Sequence, residues 1–123
     1  MESDDLRTHL RRQLRTAVRE HDRPAVSALR SALAALDNAE AVQPSEGFEP
    51  EVSQHVAGGV AGLGAAEVER RVLDVESQRA IVREEIESRL TAATTYQQHG
   101  QSARAAELRL GADVLLAVLD SST

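Results

Sequence analysis

Apolar residues return every three or four positions along most of this chain, and helix is the only periodicity it carries. In "LRTHLRRQLRTAV", Leu6, Leu10, Leu14, Ala17 and Val18 share one face. Ser3 or Asp4 is placed to cap that first helix. "HDRP" breaks it. Asp22 or Arg23 then serves as the next N-cap, and Pro24 is tolerated in a first turn, where its missing N–H would have no partner. The second helix, "PAVSALRSALAALDNAEAV", carries Val26, Leu29, Leu33 and Leu36 with alanines beside them. Small residues over so wide an arc predict close packing against two neighbours. So short a connection makes these two helices an antiparallel hairpin over residues 4–41.

The regularity stops between Gln43 and Gly64, where prolines and glycines predict a flexible loop over 43–64. "AAEVERRVL" follows as a short extra helix before the third long one. Asp74 is the next N-cap, with Glu76 favoured by the helix dipole. Val75, Val82, Ile86, Leu90 and Ala93 form one stripe, and Gly100 takes the left-handed cap. Ser102 is expected to cap the last helix, which carries Leu108, Leu110, Val114, Leu115 and Val118. This second hairpin spans residues 65–120. The expected fold is all-α: two helical hairpins closing into one four-helix bundle-like domain over residues 1–123.

Composition narrows the chemistry. The 123 residues include no cysteine, which excludes disulfides and thiolate metal sites. One Tyr and one Phe cannot build a stacking platform for single-stranded nucleic acid. No apolar run reaches the ~20 residues of a membrane span, and "MESDDLRTHL" is too acidic and polar for a signal peptide, so a cytoplasmic protein without membrane contact is expected. Net charge is −6, and all fourteen basic residues are Arg. An acidic protein repels nucleic acid unless its positive charge is gathered in one place.

Such a place exists on the first helix. Arg11, Arg12, Arg15 and Arg19 occupy an arc opposite the leucines, Arg7 flanks it, and no acid interrupts the stretch. These five are the candidate nucleic-acid contacts, in a mode that is salt-sensitive and blind to sequence. A solvated helix face paired with neighbouring acids is the alternative. Gly58, Gly59, Gly62 and Gly64 precede no Lys and follow no strand, so they make neither a P-loop nor a dinucleotide fingerprint. His9, His21, His55 and His99 lack metal-ligand spacing. Glu84, Glu85 and Glu87 lack the E-x-x-H partner of di-iron bundles. No catalytic residues, metal ligands or cofactor are expected.

"VLLAVL" from Val114 to Leu119 is apolar around the whole helix. A bundle needs only one buried stripe per helix. Val114, Leu115, Leu116, Val118 and Leu119 are therefore the candidate interface for a homodimer or a protein partner. The alternative occupant is the long loop, folding back through Phe48 or Val56.

Two blocks carry a resemblance. "LRTAVREHDRPAVSALRSALAALDNAEAV" has Asp22 at its turn, the Leu29–Arg30 pair and Asn38. "IVREEIESRLTAATTYQQHGQSARAAELRLGADVLLAVL" has Arg89, Tyr96 and Gly100 in order. Together they resemble the GatB/YqeY domain family, in its short GC-rich bacterial form, related to the tail of the GatB polypeptide of the tRNA-dependent amidotransferase. The resemblance implies an adaptor associated with tRNA or an amidotransferase complex. It also implies a label of carbon–nitrogen ligase activity with glutamine as amido-N-donor, although chemistry in that enzyme belongs to other domains. The chain departs from the family at Gln101 and Gly111, and it stops at "LDSST". The C-terminal subdomain of longer members is expected to be absent. A protein-interaction module unrelated to tRNA is the competing reading.

Overall fold

A computed structural model describes residues 5–41 and 73–122. Its elements are four α-helices: α1 (Leu6–Arg19), α2 (Arg23–Glu40), α3 (Val75–Gln98) and α4 (Ser102–Ser121). The loop over 43–64, the four clustered glycines, Phe48 and the short helix before α3 all lie outside the described residues, as do Ser3 and Asp4. The sequence reads as one domain over 1–123. The structure divides the chain into two compact units, Met1–Asp37 with Leu73–Thr123 and Asn38–Val72. All four helices belong to the first, apart from the last turn of α2.

The helices begin and end where local chemistry satisfies their terminal N–H and C=O groups. Asp5 caps α1, its Oδ1 accepting from the Thr8 amide at 2.9 Å. Asp22 caps α2, accepting from Ala25 N–H at 3.3 Å. Asp74 caps α3, accepting from Ser77 N–H at 2.8 Å. That bond, joined by one to the Ser77 side chain, holds the exposed Asp74 carboxyl below its ordinary pKa. The last N-terminus differs from expectation. Ser102 is already the first helical residue, and Gln101 ahead of it makes no side-chain cap. Gln101 is occupied in closing the preceding turn: its N–H donates to Tyr96 O at 2.9 Å.

Both interhelix turns use one device. After α1, His21 N–H donates to Val18 O at 3.2 Å and Asp22 N–H to Ala17 O at 2.9 Å. After α3, Gly100 N–H donates to Gln97 O at 3.1 Å, beside the Gln101–Tyr96 bond. This is the Schellman pattern, which needs a left-handed residue. Gly100 supplies it at φ +77°, as expected, and His21 at φ +58°.

One hydrophobic core draws on all four helices: Leu6, Leu10 and Ala17 of α1, Ala28, Leu29 and Leu36 of α2, Val82 and Ile86 of α3, Leu115 and Leu119 of α4. Leu10, Leu29, Leu36, Leu115 and Val82 are its largest fully buried side chains. Each contributes roughly 1.5–3 kcal/mol of burial. Many other core positions are alanines, so the helices approach closely. At Gly111 of α4, an added Cβ would stand 3.0 Å from Ala28 Cβ and 3.2 Å from Pro24 O of α2. Long-range polar contacts make both hairpins antiparallel. Arg7 near the start of α1 meets Asp37 near the end of α2. Arg79 near the start of α3 donates to Leu119 O and Ser122 Oγ at the end of α4, both at 3.2 Å.

Three stripes depart from their sequence reading. Val18, expected on the buried face of α1, is 47% exposed. At ~100° per residue it lies well round from Leu6, Leu10 and Ala17. On α3, Val75 and Leu90 are exposed, and Arg89 takes the buried place between Ile86 and Ala93. On α4, the candidate interface is corrected: Leu115, Val118 and Leu119 are core residues and not surface. They continue the buried face that Gly111 and Ala112 begin. Leu116 is 44% exposed, and Val114 is half-buried.

Candidate functional site

α1 contains no acidic residue, and its apolar face is committed to the core. The opposite face must therefore carry its arginines. Arg11, Arg12, Arg15 and Arg19 are all exposed there. Arg7 diverges from them. Its guanidinium pairs with Asp37 at 2.6 Å and its side chain is only 13% exposed, so it ties α1 to α2. The open face is thus built from four of the five candidate arginines. None of Arg11, Arg15 and Arg19 has an acidic partner among the described residues.

A second arginine cluster lies outside the basic arc of α1. Arg89 sits on the core-facing side of α3 with its side chain 10% exposed. Its Nε donates to Glu85 Oε2 at 3.3 Å, one helical turn back. Its Nη2 reaches α2, donating to Ser27 Oγ at 3.2 Å and Ser31 Oγ at 3.3 Å. Its Nη1 lies against Gly111, where a Cβ would come within 3.1 Å. A buried guanidinium loses hydration, and these bonds offset part of that cost. Gly111 is thus a residue that makes room: without a side chain it admits both the α2 backbone and the Arg89 head.

Arg89 lines a recess of about 220 Å³ together with Arg23, Pro24, Ser27, Arg104, Glu107 and Leu108. Arg23 opens α2, and Arg104 in the first turn of α4 stands 5.5 Å over the Tyr96 ring. Three arginines face one glutamate there. A wider groove of about 550 Å³ shares Arg23 and Ser27 with the recess. Val18, Val26, His21, Arg30 and Ser31 complete its lining, which contains no acid. The sequence signal for this cluster was a charged residue at a core position of the α3 stripe, opposite a glycine in mid-helix. Periodicity marks Arg89 as anomalous but cannot say which helices surround it.

The remaining candidates do not assemble. Among the described residues, no three His, Asp or Glu side chains gather as a metal site. Nor is any described helix long and apolar enough to cross a membrane. On α4, Leu110 and Ala117 are exposed on one side with half-buried Val114 between them, and Leu116 projects elsewhere. No family model matches the chain, nor does any curated protein or solved structure.

Proposed function

We propose that this protein is a non-catalytic helical adaptor of the GatB/YqeY kind, associated in the cytoplasm with tRNA or the tRNA-dependent amidotransferase machinery. Its four helices close into a bundle-like domain, a reading supported by the core they share. The observation that carries the function is the open face of α1. Arg11, Arg12, Arg15 and Arg19 project from a helix without a single acid, on a chain of net charge −6. Gathered positive charge of this kind suits a phosphate backbone, and the scarcity of aromatic residues disfavours base stacking.

The test is tRNA binding as a function of salt. Arg11→Gln, Arg15→Gln and Arg19→Gln together should weaken binding at low salt. Each lost phosphate contact lowers the slope of log K against log salt by about 0.9. An unchanged slope would remove the α1 face as the site. The second reading, a protein-interaction module, is favoured by Leu110, Val114 and Ala117, which repeat at helical spacing on the outer side of α4. Absence of tRNA binding by the unaltered chain, with concentration-dependent dimerisation in sedimentation, is the outcome that supports it.

A further inference from the structure

We infer that the recess among α2, α3 and α4 binds a phosphate group, with Arg89 at its base. Three observations converge. First, Arg23, Arg89 and Arg104 line one small recess; Glu107 is the carboxylate in its lining and Glu85 pairs with Arg89, so one positive charge is left over, although acids outnumber bases in the chain as a whole. Second, Arg89 is held rigidly but incompletely. Glu85, Ser27 and Ser31 take its Nε and Nη2 hydrogens, whereas Nη1 has no hydrogen-bond partner among the described residues. Orientation is thereby set in advance, and donor capacity is left over for a ligand. Third, Arg23 and Arg104 have no acidic partner among the described residues, so their charges are not already neutralised. The N-terminus of α2, at Arg23 and Pro24, adds the positive end of a helix dipole.

A recess of about 220 Å³ has room for a phosphate group. The organic part of a phosphate monoester would extend into the neighbouring groove, which shares Arg23 and Ser27 and offers Val18 and Val26 as apolar contacts. None of the α1 arginines lines the recess. The inference is therefore independent of the tRNA reading, and either stands if the other fails.

The probe is inorganic phosphate, titrated into the full chain at constant ionic strength balanced with chloride, and followed by nitrogen–proton NMR. The Arg89 Nε–Hε signal and the Ser27 and Gly111 amides should shift saturably at millimolar phosphate. Arg23→Gln with Arg104→Gln, both exposed and outside the core, should weaken the response about tenfold, equivalent to about 1.4 kcal/mol. A second arm compares a short RNA carrying a 5′-phosphate with the same RNA ending in a hydroxyl. The same signals responding only to the phosphorylated RNA identify an RNA end as the source of the phosphate; a response to inorganic phosphate identifies a small ligand. Non-saturating shifts with both probes would overturn the assignment. So would shifts confined to α1, or an unchanged response in the double variant.

Discussion

The α1–α2 and α3–α4 hairpins turn on the same backbone hydrogen bonds, yet among the described residues only the second buries an arginine, Arg89, on its core side. In the first, Arg11, Arg12, Arg15 and Arg19 stand in solvent and only Arg7 is drawn inward, to Asp37. In the second, Arg89 enters the core side of α3, and Arg79 is engaged by the carbonyl end of α4. The difference lies in what each helix meets. The inward face of α1 is fully supplied with leucine and alanine, so charge has no place there. α3 faces serines on α2 and a glycine on α4, which together supply hydroxyl acceptors and space for a guanidinium. A turn motif is thus local and repeatable, whereas the fate of a charged side chain depends on its neighbours.

The largest test of this contrast is Arg89→Met. It should destabilise the protein by about 2 kcal/mol in denaturant unfolding, below the ~3–5 kcal/mol of a fully buried broken pair. The smaller loss follows because Glu85, with its side chain 21% exposed, can be partly rehydrated. Adding Glu85→Gln should recover part of it, since no unpaired charge then remains. A loss no larger than that of an exposed arginine would place Arg89 with the α1 group and erase the contrast.

The two turns allow a sharper comparison. A Cβ at Gly100 would meet nothing within 4 Å, so Gly100→Ala isolates the backbone cost of the left-handed conformation, about 1 kcal/mol. His21 already bears that cost at φ +58°. His21→Gly should therefore stabilise, by about 0.5 kcal/mol, because glycine's greater freedom in the unfolded chain offsets part of the relief. Opposite signs in thermal unfolding are expected. Equal signs would mean that the turns are not equivalent.

The smallest effect concerns acid. Hydrogen bonds from Ser77 lower the Asp74 pKa in the folded state. Its contribution is therefore fully present above the ordinary carboxylate value of about 3.9 and is lost as pH falls through the lowered folded value. Asp74→Asn retains a capping oxygen but cannot titrate. The stability difference between the two proteins should be constant near neutral pH and should shift against the unaltered chain in acid. Parallel curves down to the acid transition would show that this cap does not depend on charge.

The four long helices were legible from residue order because their signals are local. Period, capping aspartates at Asp22 and Asp74, and Gly100 in its turn all act within a few residues. The open α1 face was legible for the same reason: a helix fixes which side chains share an arc, whatever surrounds it. Other features depended on tertiary structure. The run Val114–Leu119 is apolar all round, so its pattern could not choose a buried side, and only packing turns Leu115, Val118 and Leu119 inward. Arg7 reads as part of a basic arc until Asp37, thirty positions away, captures it. Arg89 falls at helical spacing between Ile86 and Ala93, but only Ser27, Ser31 and Gly111 around it decide that a guanidinium can be held there. These outcomes require contacts between helices far apart along the chain, and a periodic pattern carries no information about which distant residues will supply them.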